Sequence, residues 1–182
     1  MSVHAGLLTV EEFLKVPDPK EGHNELHHGE VVVMPPPKRG HSRIQRRILA
    51  LLTRLAGADT VAEVEMPFRP LPENEVWVAD VGLARAEREQ SAADDEYLQG
   101  SPDLVVEVLS PSNTVDEINE KMSLCMDTGC SSFWVVDPKR KRVSVTEGDV
   151  TKHYGPSATA AISCVLFAGR IQVREIFEHD SV

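Results

Sequence analysis

The clearest pattern along the chain is an apolar stripe between residues 41 and 55. Apolar side chains recur there at the spacing of one helical face, at Ile44, Ile48, Leu51, Leu52 and Leu55. The pattern predicts an amphipathic helix from His41 to Leu55. The arginines of this segment fall mainly off the stripe, which predicts a basic outer face, and Gly57 is expected to end the helix.

Shorter apolar runs predict a set of β-strands. Runs of about four to eight residues, alternating or continuous and bounded by turn residues, are typical of strands. They occupy residues 24–27, 30–34, 61–68, 76–83, 104–109, 133–136, 143–146 and 171–177. The first two flank His28 and Gly29, which predicts a hairpin turn. The three prolines at 35–37 end the second strand, because proline has no N–H for a strand ladder.

Two capping boxes predict further helices. Thr9 with Glu12, and Thr114 with Glu117, have the spacing in which side chains and backbone N–H groups cap each other. The second predicted helix runs to about Gly129, and the charged stretch 85–96 is expected to be an exposed loop or a short helix. We predict an α/β fold, a mixed α+β sheet flanked by helices, in a single domain over residues 1–182.

Composition fits a globular protein: 182 residues, 41% hydrophobic and 26% charged. The longest nearly apolar stretch, residues 158–168, is shorter than the roughly 18–20 residues that span a bilayer. The N-terminal segment does not read as an export signal. The three cysteines cannot all pair and lack zinc-type spacing, which favours free thiols. We therefore expect a cytoplasmic protein without membrane contact.

Charge is distributed unevenly. The net charge of −10 argues against non-specific coating of nucleic acid. Residues 38–54 nevertheless carry +6, which leaves −16 on the rest of the chain, and residues 139–142 form a second basic cluster. Such patches either grip a phosphate backbone or are solvated surface.

One glutamate stands out within the strands. Glu107 interrupts a run that is apolar on both sides, which indicates a central strand covered on both faces. A carboxylate is costly to bury there unless it is paired or bound to a cation. The alternative is an edge strand whose glutamate points to water.

Two further residues could complete a site around Glu107. Asp80 follows a strand-like run and either ends that strand or lies beside Glu107, where two carboxylates would need a positive group between them. Lys121 borders the inward stripe of its helix and either reaches the sheet or pairs with Glu117 on the surface. Two carboxylates and a lysine suit a Mg²⁺ site, because Mg²⁺ takes few protein carboxylates and keeps waters and phosphate oxygens.

Other chemistries have weaker support. The histidines at 23, 27, 28 and 41 fit no standard zinc spacing. Ser110 and Ser112 lack a nucleophile-elbow context, and the sequence has no glycine-rich phosphate loop.

Several motifs taken together resemble a known family. They are Glu25-Leu26-His27-His28-Gly29-Glu30, His41 at a helix start, Ala79-Asp80-Val81, residues 102–112 with Lys121 and Gly129 downstream, and residues 133–138. The combination, spanning residues 9–177, resembles the Uma-type restriction endonuclease family, a bacterial branch of the PD-(D/E)XK nuclease superfamily. The stretch from Pro102 to Ser112 with its downstream lysine is the most specific part.

The resemblance implies a restriction-endonuclease-like core and Mg²⁺-dependent hydrolysis of phosphodiester bonds. Asp80 and Glu107 match the two metal-binding acids, Lys121 matches a lysine displaced from the strand to the following helix, and Glu25 matches an additional acid. Ala79 and Cys125 depart from the family pattern, where a proline and an aromatic residue are usual, and neither replaces a proposed ligand.

These observations lead to one main functional hypothesis. It is a cytoplasmic endonuclease that cleaves DNA with Mg²⁺, or with Mn²⁺ as a substitute, using catalytic residues Asp80, Glu107, Lys121 and Glu25. The expected DNA contacts are Arg43, Arg46 and Arg47, and fold analogy favours a homodimer. The alternatives are a non-catalytic nucleic-acid-binding or regulatory domain with the nuclease fold, and a hydrolase of smaller phosphate esters.

Overall fold

The computed structural model describes residues 6–89, 97–157 and 159–178. Five helices lie within these ranges: α1 (Val10–Phe13), α2 (Arg39–Leu55), α3 (Ala86–Glu89), α4 (Val115–Asp127) and α5 (Val173–Phe177). The strands there are β1 (His23–His27), β2 (Glu30–Met34), β3 (Thr60–Arg69), β4 (Trp77–Arg85), β5 (Leu98–Gln99), β6 (Leu104–Val108), β7 (Ser132–Asp137), β8 (Arg142–Glu147), β9 (Val150–Tyr154), β10 (Ala161–Ile162) and β11 (Ile171–Gln172).

Seven strands form the main sheet, in the order β5-β3-β4-β6-β7-β8-β9. The β3–β5 and β6–β7 pairs are parallel, and the remaining pairs are antiparallel. Strand β6 lies at the centre and all five of its residues are buried. A strand that is covered on both faces reads as a continuous apolar run, which is why residues 104–109 predicted a central strand. The expected mixed sheet is confirmed.

The two faces of the sheet are covered by different helices. Ile48 and Leu52 of α2 pack against Val106 on one face, together with α5. Cys125 of α4 packs against Val105 on the other face. Successive residues of β6 therefore belong to opposite cores, as the alternation of side chains along a strand requires. The predicted flanking helices are confirmed, and all three cysteines are buried free thiols.

The β1–β2 hairpin docks beside the end of β4. It turns at His28 and Gly29, both in the left-handed region with φ of 52° and 81°. A side chain at Gly29 would also lie 2.7 Å from Leu7 Cβ, so the turn requires glycine. Backbone hydrogen bonds in both directions between Leu26 and Val76 join the hairpin to the chain entering β4. The predicted hairpin is confirmed.

One predicted strand was wrong and some short strands were not predicted. Residues 171–177 contain only the two-residue β11, which continues directly into helix α5. The Glu175 carboxylate accepts the Gln172 N–H and starts the helix, and Val173 and Ile176 bury one helical face. Strands β5, β9 and β10 lacked a clear apolar alternation. The charged stretch 85–96 contains α3, and its residues 90–96 lie outside the described ranges.

Candidate active site

Glu107 and Lys121 form a buried ion pair between the sheet and α4. Both residues are 8% exposed. The capping box of Thr114 and Glu117 begins α4 as predicted, and Lys121 lies on the turn of the helix that faces β6 and β4. Lys121 Nζ is 2.8 Å from Glu107 Oε1, and it donates a hydrogen bond of 2.7 Å to the Val78 carbonyl. Lys121 thus reaches the sheet, and the alternative surface pair with Glu117 does not form.

The Glu107–Lys121 contact leaves part of the carboxylate unsatisfied. Glu107 Oε1 is fully buried and, among the described residues, has no partner with hydrogen-bond geometry, although the ammonium lies close enough for an ion pair. A buried carboxylate oxygen normally accepts hydrogen bonds or binds a cation. The carboxylate can therefore accept a further positive group besides the Lys121 ammonium.

Asp80 lies next to this pair, where the β4–β6 ladder ends. The last backbone pair is Val81 with Val106, and the same register places Asp80 opposite Glu107. Beyond this point the Asp80 side chain replaces a strand partner, because its Oδ2 accepts the Val108 N–H at 2.6 Å. Strand register thus brings together Asp80 and Glu107, the two acids predicted from the sequence.

Helix α2 supplies the other partners of Asp80. Asp80 Oδ1 lies 2.8 Å from His41 Nε2 and accepts a hydrogen bond of 3.1 Å from Gln45 Nε2. Gln45 Nε2 also donates to Glu65 Oε1. Burial disfavours a charged His41, but its hydrogen bond and attraction to Asp80 outweigh this effect and raise the His41 pKa. The carboxylate of Asp80 is therefore held from both the sheet and the helix.

An irregularity in strands β3 and β4 allows Asp80 to contact both helix α2 and strand β6. Ala79 packs in the core under α4, whereas Val81 packs in the core under α2. Residues two apart on a regular strand face the same side, so the alternation breaks at Asp80. Its neighbour on β3, Glu65, has φ of 52°, in the left-handed region. This local twist places Asp80 within reach of α2 and of β6.

Glu25 of β1 is a further buried acid near Lys121. It is 3% exposed, and its Oε1 and Oε2 lie 3.1 and 2.8 Å from the Nε2 atoms of His23 and His27. Burial opposes ionisation of Glu25, but these two histidines and the charge of Lys121 lower its pKa to about 2. Glu25 is therefore a fixed anion beside the lysine.

The pKa values of Glu25 and Glu107 shift in opposite directions. Burial raises the pKa of Glu107 to about 8; the Lys121 charge opposes this rise, and the charges of Asp80 and Glu25 add to it. Burial also disfavours a charged Lys121, but Glu107, Glu25 and Asp80 raise its pKa overall. The single positive charge of Lys121 does not offset the burial of Glu107 and the negative charge of its neighbours, so the pKa of Glu107 is raised.

The donor set fits Mg²⁺ better than a metal held wholly by protein. Within the part of the chain that the structure describes, no three His, Cys, Asp or Glu side chains group as a metal-binding cluster. Mg²⁺ usually binds one or two carboxylates and completes its octahedron with water and substrate oxygens. Asp80 and the unsatisfied Glu107 meet that requirement.

The four histidines do not form a zinc site. His23 and His27 bond Glu25, His28 lies 2.5 Å from a Glu120 oxygen, and His41 bonds Asp80. Each histidine serves as a partner of a carboxylate.

A cavity of about 320 Å³ lies beside the site. Its wall mixes apolar residues such as Phe13 and Val76 with polar ones such as Glu65. His23 and Val78, which touch Glu25 and Lys121, also line it. The cluster therefore borders a concave surface.

Sequence reasoning missed several residues around the predicted acids. His41 was noted at the start of its helix, but nothing tied it to Asp80, which is 39 residues away. Gln45 is buried in α2, and no pattern in the sequence predicted its contact with Asp80. Trp77, between Lys121 and His27, resembled any other core aromatic.

A mixed sheet of this order with helices on both faces defines the class of the molecule, a protein of restriction-endonuclease-like fold. A crystal structure from Anabaena variabilis ATCC 29413, described as "a putative nuclease belonging to DUF820", matches with a TM-score of 0.78 and 21% sequence identity, covering 93% of this chain and 97% of that chain. This likeness shows the fold.

The family follows from the sequence itself. Residues 10–170 match the Uma2 family, described as "Putative restriction endonuclease", and the chain belongs to this family. The resemblance proposed from the motifs is therefore confirmed. No curated protein matches significantly. Across the described ranges, no helix combines the length and apolar character needed to cross a membrane.

Proposed function

We propose that the protein is a metal-dependent endonuclease that hydrolyses DNA phosphodiester bonds. The observation that carries the proposal is the buried Glu107–Lys121 pair, with an unsatisfied carboxylate oxygen, opposite Asp80 on the neighbouring strand. Membership of a restriction endonuclease family supports the same activity. Removing the charges of Glu107, Lys121 and Glu25 from water costs free energy, which an apolar core without a functional site would not require.

Asp80 and Glu107 are the residues that would hold Mg²⁺ or Mn²⁺. A divalent ion there supplies charge stabilisation at the phosphate and makes a bound water easier to deprotonate. Asp80 is oriented for this role by the Val108 N–H and His41. Burial raises the pKa of Glu107, so a divalent cation bound there would favour the ionised carboxylate.

Lys121 would act on the reacting groups. An ammonium has three N–H donors; the Val78 carbonyl accepts one, and the Glu107 carboxylate lies 2.8 Å away as the ion-pair partner. A remaining donor can orient the attacking water or stabilise charge that develops on a phosphate oxygen. Glu25 provides a fixed negative charge that keeps Lys121 protonated.

The outer face of α2 would contact the DNA backbone. Arg43 and Arg46 are exposed, whereas Arg47 is half-buried and donates to the Ile176 carbonyl. Arg43 and Arg46 are therefore the better phosphate contacts among the three arginines. A homodimer would let two such sites act on opposite strands.

The first test is cleavage of plasmid and single-stranded DNA with Mg²⁺ or Mn²⁺. We expect Asp80→Asn, Glu107→Gln and Lys121→Met each to lower the rate by at least about 100-fold, because each removes a group that acts on the reacting atoms. Asp116→Asn, an exposed acid on the same helix as Lys121, is the matched control and should cleave like the wild type.

Metal binding provides a second readout. Calorimetry should detect Mn²⁺ binding to the wild type and to Asp116→Asn, but much weaker binding to Asp80→Asn and Glu107→Gln. Equal cleavage by all variants would refute the site. DNA binding without cleavage or metal binding would instead establish the non-catalytic binding domain, and hydrolysis of small phosphate esters alone would establish the third hypothesis.

A further inference from the structure

Trp77 contacts the proposed catalytic residue Lys121 and His27, a hydrogen-bond partner of Glu25. Its ring stacks on the imidazole of His27, with centroids 3.9 Å apart and an interplanar angle of 7°. Lys121 Nζ also lies over the indole, 5.7 Å from the centroid of a Trp77 ring. The indole therefore contacts a partner of Glu25 and the ammonium at the same time.

A buried carboxylate outside the catalytic cluster holds the indole in place. Glu75 is 1% exposed, and its Oε2 accepts a hydrogen bond of 2.7 Å from Trp77 Nε1. Its Oε1 accepts the His28 N–H at 3.0 Å and lies 2.8 Å from His28 Nδ1. Both oxygens are thus engaged, which is the condition under which a carboxylate is tolerated in a core.

These contacts bridge the hairpin and helix α4. His27 Nε2 lies 2.8 Å from Glu25 Oε2, so the stacked imidazole also orients that carboxylate. His28, the next residue, lies between Glu75 and Glu120, and Glu120 directly precedes Lys121 on α4. Backbone and side-chain contacts of the hairpin therefore converge on the helix turn that carries the lysine.

The aromatic face has a physical reason to matter for the lysine. A cation near an indole face is attracted by the ring quadrupole, and the attraction is larger where water is excluded. Lys121 is buried, so this attraction restricts where its ammonium lies. An aliphatic side chain of similar size would fill the space without that attraction.

We propose that Trp77 is a positioning residue, and that the stack of His27 on Trp77, anchored by Glu75, sets the location of the Lys121 ammonium and the Glu25 carboxylate. This inference rests on the proposed nuclease activity for its functional consequence. Trp77 itself touches no substrate: it acts through Lys121.

The activity test compares two apolar replacements. Trp77→Phe keeps an aromatic face toward His27 and Lys121, whereas Trp77→Leu removes it. We expect the kcat of Trp77→Leu for DNA cleavage to fall about 10-fold with an unchanged KM, and that of Trp77→Phe to fall less than about 3-fold. Equal losses in the two variants, or a wild-type kcat in Trp77→Leu, would overturn the proposal.

A second test does not require activity. Ring currents should shift the side-chain resonances of Lys121, assigned by comparison with Lys121→Arg, in a ¹H–¹³C NMR spectrum. Because replacing the ring by leucine abolishes its ring current wherever the lysine lies, the position of Lys121 in the variants is followed by NOEs between its Hε protons and the backbone of Val78, whose carbonyl accepts from Nζ. These NOEs should persist in Trp77→Phe and weaken or disappear in Trp77→Leu. The indole N–H of Trp134, which donates to Ser132, is an internal reference for intact folding.

The two tests separate the possible failures. If the wild type cleaves no DNA, the nuclease proposal fails and the NMR comparison still decides whether Trp77 positions Lys121. An unshifted Lys121 in a folded wild type overturns the positioning proposal whatever the activity. If Trp77→Leu does not fold, Trp77→Phe and the wild-type spectrum provide the decision, since both retain the aromatic face.

Discussion

Glu25 and Glu107 are the same residue type at similar burial, yet their pKa values move in opposite directions. Burial opposes the charge of each one. At Glu25, two histidines and Lys121 outweigh burial and lower the pKa to about 2. At Glu107, burial together with the neighbouring carboxylates outweighs Lys121 and raises the pKa to about 8. The number of donors around each carboxylate decides the direction.

This difference predicts how Glu25 affects stability against acid. A carboxyl group whose pKa is lowered on folding stabilises the protein above its unfolded pKa, and that contribution disappears as the pH falls through the folded pKa. Replacing Glu25 with Gln should lower the free energy of unfolding by about 3 kcal/mol at pH 7, from the fall from 4.5 to about 2. The gap between variant and wild type should shrink between pH 4.5 and pH 2.

Urea unfolding at a series of pH values measures this gap. Glu30→Gln, at an exposed position in the same hairpin, is the control and should follow the wild type throughout. A gap that stays constant down to pH 2 would show that the histidine contacts do not stabilise the charged form of Glu25.

Among the elements, the β3–β4 pair combines irregular backbone geometry with close packing near the site. The strands change face at Glu65 and Asp80, and just beyond this point Met66 packs over Gly82. A Cβ at Gly82 would lie 2.9 Å from Met66 Cβ and closer still to its sulfur. Glycine is therefore required at this position by close approach.

The same substitution at two glycines should have opposite effects. Gly82→Ala should destabilise the protein by about 1–3 kcal/mol through overpacking. Gly40→Ala, in α2 with no atom within 4 Å of the new Cβ, should be neutral or should stabilise it by up to about 1 kcal/mol. Thermal and urea unfolding of both variants measure these effects.

A double-mutant cycle tests the cause of the Gly82 effect. In a Met66→Ala background the cost of Gly82→Ala should be smaller, because the overlap with the Met66 sulfur and Cγ is gone while the close approach of the two Cβ atoms remains. An unchanged cost would assign the effect to the backbone or to the Cβ–Cβ approach instead of to the Met66 thioether.

At the scale of the whole molecule, net charge limits how the proposed contact with DNA could form. The chain carries a net charge of −10, so attraction to phosphate must come from a local surface. The outer face of α2 provides one, since Arg43 and Arg46 are exposed. Arg54 of the same helix pairs with Glu175 at 3.0 Å and is partly neutralised.

Salt dependence of DNA binding distinguishes these arginines. The double variant Arg43→Ala/Arg46→Ala should weaken binding and lower the slope of log K against log salt concentration by about 2, because each phosphate contact contributes roughly 0.9. Arg54→Ala removes the same type of charge from the same helix and should change the slope much less. Fluorescence anisotropy with a duplex at several salt concentrations provides the measurement; a wild-type slope in Arg43→Ala/Arg46→Ala would exclude these two arginines as phosphate contacts.

The sequence alone predicted features that depend on neighbours a few residues apart. Helix α2, the two capping boxes and the hairpin turn at Gly29 followed from spacing and turn chemistry, and the apolar run around Glu107 predicted the central strand. The motifs also indicated the family and the three residues that the structure brings together. Their catalytic roles, and the extent of one domain over 1–182, stay predictions.

Only the tertiary structure decided which residues surround the predicted acids. The His41–Asp80 and Val78–Lys121 contacts join residues 39 and 43 positions apart. They depend on strand order, on the face change at Glu65 and on which helix covers which face. Helical and strand periodicities report only on local backbone hydrogen bonds and exposure, so they identified the charged residues but not their partners.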